Sequence, residues 1–433
     1  MEKIVIEGGR PLRGSVRASG AKNAALPILI ATLLAPGEHR LANVPDLADI
    51  SSTLSLLGRI GCPSLVGPSV RLDTSRISFY EAPYDVVRKM RASVLVLGPL
   101  LARHGEAKVS LPGGCAIGVR PIDQHLKGLE ALGARFELSG GYIHGTAGRL
   151  RGAEIMLDMP TVTGTENILM AAALADGTSV IHNAAREPEI VDLADFLNTL
   201  GARVEGQGTS TITVHGVPRL TPASRPYDII PDRIEAGTWL CAAAATGGDV
   251  TVTDTNPSHM DAVLAKLAEA GCEVSVDGRS IRVRGPERLQ PFKLRTEPHP
   301  GFPTDMQAQL MVLACLADGT STLTETIFEN RFMHAAELMR MGAHIETRGN
   351  TAIIVGQPRL TGAAVMASDL RASAALLLAG LAAEGLTEVL RIYHLDRGYE
   401  DMVGRMRGVG ARIARLDDDV RDPERIARAL AVA

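Results

Sequence analysis

Six polar residues occupy one position of a repeating pattern. Asn23, Arg91, Thr163, Arg233, Asp305 and Arg371 each stand fourteen residues before a glycine (Gly37, Gly105, Gly177, Gly247, Gly319 and Gly385) that closes an Ala/Leu-rich run. Each opens a stretch with helical periodicity. An arginine at a helix start opposes the helix dipole at a cost of about 0.3–1 kcal/mol unless an anion lies near it. The same position is well matched to a bound phosphate or carboxylate. Repeated cations at helix starts therefore point to anionic ligands, with a salt bridge as the alternative for any one of them. Asp305 is a carboxylate where both neighbouring repeats carry arginine. It is suited to act in cationic surroundings or, alternatively, to cap its helix through Thr304-Asp305.

A thiol supplies the second chemical feature. The run Leu111-Pro112-Gly113-Gly114-Cys115-Ala116-Ile117-Gly118-Val119-Arg120-Pro121 is glycine-rich, bounded by prolines, and carries one cysteine and one arginine. That composition fits a mobile lid, and a cation five residues away can tune a thiol. The other four cysteines read as small core residues. Cys62 and Cys272 replace a repeated alanine, and Cys241 and Cys315 lie inside apolar helical runs.

The elements that must hold these residues form six units. A second set of glycines, Gly61, Gly133, Gly201, Gly271, Gly342 and Gly410, ends amphipathic helical segments at spacings of 72, 68, 70, 71 and 68 residues. Each unit reads helix, strand, loop, helix, strand, strand. The interval from first to second glycine is 28 residues in the second unit against 23–25 in the others, and the Cys115 loop fills the difference. A chain of 433 residues exceeds what one core supports, so three units per domain are expected. The expected division assigns residues 22–229 to one domain, which carries the Cys115 loop, and 1–21 with 230–433 to the other.

Bulk properties exclude several classes. A net charge of -4 gives no electrostatic reason for a nucleic-acid partner. The N-terminus lacks the pattern of a signal peptide, and no apolar run reaches membrane-spanning length. Unpaired cysteine spacing suits a reducing compartment without a zinc site. A cytoplasmic protein with no metal and no organic cofactor is expected.

Four runs carry a resemblance to a known family: Ser19-Gly20-Ala21-Lys22-Asn23-Ala24-Ala25-Leu26-Pro27, Pro112 to Pro121, Asn183-Ala184-Ala185-Arg186-Glu187-Pro188-Glu189-Ile190-Val191-Asp192, and His394-Leu395-Asp396-Arg397-Gly398-Tyr399-Glu400. The chain resembles the UDP-N-acetylglucosamine 1-carboxyvinyltransferase family from residue 1 to about 415. The resemblance implies an α/β fold of two inside-out α/β barrels, each of three βαβαββ repeats, with the site in the cleft between domains. It also implies transfer of the enolpyruvyl group of phosphoenolpyruvate to the 3-hydroxyl of UDP-N-acetylglucosamine, the first committed step of peptidoglycan precursor synthesis and hence of cell-wall biogenesis, cell shape and division.

Residue by residue, the resemblance assigns Lys22, Arg120 and Arg397 to the phosphate and Arg331 and Arg371 to the carboxylate, with Asn23 and Cys115 also at phosphoenolpyruvate. Cys115 is the implied proton donor and the thiol alkylated by fosfomycin, Asp305 the implied base, and Lys22 and Arg397 further catalytic residues. UDP-N-acetylglucosamine is implied to contact Asn23, Arg91, Arg120, Pro121, Ile122, Asp123, Gln124, Thr161, Val162, Thr163, Gly164, Asp305 and Ile327. The turn Pro160 to Gly164 is a residue shorter than in some members. The tail from Asp417 reads as a solvated extra helix. Two rivals stay open: a 3-phosphoshikimate 1-carboxyvinyltransferase-like enzyme, which would lack the Pro-Gly-Gly-Cys run, and a non-catalytic nucleotide-sugar-binding relative.

Overall fold

Two kinds of segment alternate along the chain, and their patterning dictates where each goes. Val162–Ala172, Arg233–Ala245, Gln307–Cys315 and Leu370–Ala382 are apolar almost all round and are buried on nearly every side, as helices without a polar face must be. Strands such as Thr211–His215, Ser280–Arg284 and Thr351–Val355 alternate buried and open positions, so the sheets they belong to cover a core on one face only. The computed structural model describes residues 2–87, 90–111 and 122–431.

Among the described residues, six four-stranded sheets of one topology result. In the third repeat, Glu154–Met156 lies parallel to Thr178–His182, which runs antiparallel to Thr211–His215, and Arg203–Glu205 completes the edge. The glycines that end the second helix of each repeat all have positive φ, from 90° to 110°. A left-handed C-terminal residue lets the chain turn from helix into the next strand.

The described residues divide into two compact units, one of residues up to 19 together with those from 231 onward, the other of residues 20–111 and 122–230. Each contains three of the sheets around its own core. Within the second unit, Tyr227–Asp228 returns to lie parallel to Glu38–Ala42 of the first repeat. Within the first unit, the N-terminal residues serve two sheets. Glu2–Glu7 pairs with Leu386–Leu390 and Arg412–Asp417, and Arg13–Arg17 lies parallel to Asp249–Thr253.

The tail is packed rather than solvated. Pro423–Ala431 places Ile426 and Leu430 against Val5, Ala414 and Val420. Beneath it Lys3 is fully buried, donating to Glu388 Oε1 at 2.8 Å and to the Val420 carbonyl at 2.7 Å. Alternation along the last strands hid this, because the outward face of Glu2–Glu7 carries both Lys3 and Val5.

Candidate active site

Asp305 lies in the 3₁₀ turn Thr304–Met306 that leads into Gln307–Cys315. Its carboxylate joins two arginines: Oδ1 accepts from Arg331 Nη2 at 3.0 Å and Oδ2 from Arg371 Nη2 at 2.9 Å. Both arginine side chains are only 4% exposed, against 27% for Asp305. Two desolvated guanidinium groups thus face a single carboxylate, leaving one positive charge among the three groups. Such a pair grips oxyanions strongly because hydrogen bond and charge act together. Arg371 also donates from Nη1 to Tyr399 Oη at 3.2 Å and lies over that ring, and Arg331 lies over Phe328. Burial works against the charge of Arg371, but Asp305 and Tyr399 hold its pKa above the ordinary arginine value.

For Arg371 and Arg233 the dipole cost read from helix-start arginines is relieved by acids just before them. Asp369 caps Leu370–Ala382 by accepting from the backbone of Arg371 and Ala372, and Asp232 caps Arg233–Ala245 in the same way. Both signals stand in the sequence two and one residues ahead of the arginines. Glu325 is a further organiser. Its buried carboxylate accepts from Thr296, Thr304, and the backbone of Ile327 and Phe328. It thereby ties the Ile327 loop to the residue before Asp305. His334, buried at the start of His334–Arg340, has its pKa lowered to about 4 by burial, with Arg331 adding to the effect and Asp369 opposing it. Arg397 ends the half-buried 3₁₀ turn Ile392–Arg397, where the neighbouring Asp396 is held by Arg415 through two bonds of 2.9 and 2.8 Å.

The second unit carries the remaining described candidates. Lys22 and Asn23 open Lys22–Ala31. Lys22 is 8% exposed and donates to Asp49 Oδ2 at 3.3 Å, a partner that spacing alone does not reveal. Thr161 caps Val162–Ala172, its hydroxyl accepting from the Gly164 N–H. Thr163 is held in turn by a buried chain. The Gly98 N–H donates to Asn167 Oδ1, so Asn167 Nδ2 faces His125 Nδ1 at 3.1 Å and His125 Nε2 donates to Thr163 Oγ1 at 3.1 Å. Ile122 and Asp123 begin Asp123–Ala131. The Gln124 amide bonds Asp158 through both ends and also reaches Asp123. Arg91 begins the turn Arg91–Val96, but its side chain is outside the described set. Cys115, Arg120 and Pro121 lie outside the described residues. Among the described residues no group of His, Cys, Asp and Glu is arranged to hold a metal.

Burial pushes the thiols of Cys62 up to about 11 and of Cys272 and Cys315 to about 12. That agrees with inert core residues.

Comparison with known proteins bears on this arrangement. A sequence profile described as EPSP synthase (3-phosphoshikimate 1-carboxyvinyltransferase) matches residues 6–406. The chain is 60% identical over 422 residues to a protein of Anaeromyxobacter dehalogenans (strain 2CP-1) called UDP-N-acetylglucosamine 1-carboxyvinyltransferase, covering 96% of this chain and all of the relative. A Trichlorobacter lovleyi protein of the same name is 56% identical, again over 96% of this chain and all of its own length. Among solved structures, the enolpyruvyl transferase NikO from Streptomyces tendae superposes with a TM-score of 0.85 at 28% identity, covering 96% of this chain and 98% of its own. An EPSP synthase of Acinetobacter baumannii, at 20% identity and a TM-score of 0.76 over 96% of this chain and all of its own, shares the fold.

Proposed function

The chain belongs to the family of UDP-N-acetylglucosamine 1-carboxyvinyltransferases, within the wider EPSP synthase family, and from that premise we infer that it transfers the enolpyruvyl group of phosphoenolpyruvate to the 3-hydroxyl of UDP-N-acetylglucosamine with release of phosphate. The observation that carries the residue assignments is the buried Arg331–Asp305–Arg371 cluster, which combines a carboxylate able to accept a proton with two cations able to grip another carboxylate.

In the first half of the reaction the sugar hydroxyl oxygen bonds to C2 of phosphoenolpyruvate. Its proton passes to Asp305, and the C2–C3 π electrons take a proton from Cys115 at C3. The product is a tetrahedral adduct that retains the phosphate. In the second half the thiolate left at Cys115 takes a proton back from C3, the C2–C3 double bond re-forms, and the bond from C2 to the phosphate oxygen breaks as phosphate leaves. Arg331 and Arg371 hold the carboxylate, and Lys22, Arg120 and Arg397 carry the charge of the departing phosphate. A thiol is mostly protonated at neutral pH and suits the acid role. Before substrate binds, Asp305 occupies the two arginines that a substrate carboxylate would take. Substrate carboxylate binding then releases Asp305 toward the sugar hydroxyl.

The nucleotide sugar is assigned to Asn23, Arg91, Arg120 to Gln124, the Thr161–Gly164 helix start, Asp305 and Ile327. Thr163 is oriented for this by His125, and Ile327 by Glu325. Gln124 contributes through its backbone, since Asp158 engages its side chain. We also propose a cytoplasmic enzyme of peptidoglycan precursor synthesis, serving cell shape and division and alkylated by fosfomycin at Cys115.

Phosphate release from phosphoenolpyruvate tests the reading. Release is expected with UDP-N-acetylglucosamine, not with shikimate 3-phosphate, and is lost in Cys115→Ala. Release with shikimate 3-phosphate instead, or binding of the nucleotide sugar without release, overturns it.

A further inference from the structure

Arg371 is oriented from two sides, and only one of the two is charged. Nη2 meets the Asp305 carboxylate, while Nη1 donates to Tyr399 Oη at 3.2 Å and the guanidinium lies 5.5 Å above the Tyr399 ring centre. Tyr399 is 3% exposed and Arg371 equally so, so the pair is fixed by packing as well as by bonding.

The hydrogen-bond directions around Tyr399 are determined by its neighbours. Thr238 Oγ1 gives its proton to the Ile234 carbonyl at 2.8 Å, so at the 3.0 Å Thr238–Tyr399 contact the tyrosine is the donor. Gln309 Nε2 donates to Thr238 at 3.0 Å and reaches Tyr399 at 3.4 Å. With its one proton committed to Thr238, Tyr399 turns lone pairs toward Arg371. Burial raises the Tyr399 pKa, so the hydroxyl stays neutral at working pH.

We propose that Tyr399 is a positioning residue for the transfer reaction: it aims the Arg371 guanidinium with a neutral acceptor, so that the Arg331–Arg371 pair keeps its excess positive charge for the carboxylate of phosphoenolpyruvate. A carboxylate in place of Tyr399 would aim Arg371 equally well but would cancel the charge left over after Asp305. The proposal rests on the assignment of Arg371 to that carboxylate.

The test compares Tyr399→Phe, Arg371→Gln and the double variant by steady-state kinetics with each substrate varied in turn. Tyr399→Phe keeps the ring and loses one hydrogen bond to a charged group, an interaction whose loss corresponds to about tenfold or more in affinity. The KM for phosphoenolpyruvate is expected to rise about tenfold, with the KM for UDP-N-acetylglucosamine within twofold of the unmodified protein. Arg371→Gln raises the same constant further, and adding Tyr399→Phe to it changes nothing more, because the group being aimed is gone. A merely structural role would shift both KM values, or would add to Arg371→Gln. An unchanged phosphoenolpyruvate KM in Tyr399→Phe, alongside a raised one in Arg371→Gln, overturns the proposal alone. An unchanged KM in Arg371→Gln overturns the assignment of Arg371 and the proposal with it. Should Tyr399→Phe not fold, Thr238→Val removes the acceptor of the tyrosine proton, and a selective rise of about threefold is expected. No rise in that variant rejects the proposal.

Discussion

Replacing Asp305 with asparagine separates its two jobs. The carboxylate neutralises one of two guanidinium groups that are each 4% exposed, through bonds of 3.0 and 2.9 Å. Removing one partner of a buried ion pair costs about 3–5 kcal/mol, because the remaining charge stays desolvated. Asparagine keeps one acceptor oxygen and Asp305 is 27% exposed, which lowers the expected loss to roughly 2–3 kcal/mol. For a unit of this size that corresponds to a melting temperature lower by roughly 5–10 °C. The two unneutralised arginines should also bind anions better, so phosphate or phosphoenolpyruvate should recover more of the melting temperature in Asp305→Asn than in the unmodified protein. In the rate, loss of a general base is expected to lower kcat by about 10²–10⁴. Thermal melts with and without phosphate, run beside the phosphate-release assay, read all three effects. A kcat within threefold of the unmodified protein refutes the base assignment. A melting temperature that is unchanged, or equally responsive to phosphate, refutes the account of the arginine pair.

Arg415→Ala releases Asp396, the residue before Arg397, from its two-bond clamp. Because both side chains are about a third exposed, stability should change by less than about 1 kcal/mol, while kcat/KM for phosphoenolpyruvate is expected to drop several-fold in the same assay. Deleting the chain from Asp418 strips Val420, Ile426 and Leu430 from Val5 and Ala414 and uncovers Lys3. At about 1.5–3 kcal/mol for each large apolar side chain, offset by the entropy regained, a loss of about 3 kcal/mol in urea denaturation is expected. His334 sets a pH dependence. Its folded pKa of about 4 lies below the ordinary value of 6.5, so between those values the unfolded chain holds more protons. Stability is therefore complete above about pH 6.5 and falls toward pH 4, by roughly 2 kcal/mol at pH 5. His334→Gln should flatten that part of a stability-against-pH profile.

Much of this protein was legible along the chain. Six glycine-marked repeats gave the number of sheets because a helix that must turn into a strand within one residue needs a left-handed conformation, and glycine adopts it most readily. Helix starts fourteen residues before the first glycines named Arg371 and Asp305 as chemical positions, since polarity at the end of an otherwise apolar helix has no packing reason to persist. Cys241 and Cys315 read as core residues because they stand inside apolar runs, and both are buried.

What tertiary structure decided is which charges meet. Asp305 could equally cap a helix by local reading. It bonds Arg331 and Arg371 instead, because a helix, strand and loop excursion of 26 residues and a whole repeat of 66 return those arginines to the same helix end. Lys22 with Asp49, the Thr238–Gln309–Tyr399 network under Arg371, and Lys3 beneath the C-terminal helix are likewise pairs distant in sequence. Periodicity reports which face of an element is apolar, and so it determined the elements and their order. It is silent on which polar groups from different elements share a buried volume, and there the high cost of leaving any of them unpaired makes the packing, rather than the local sequence, choose the partners.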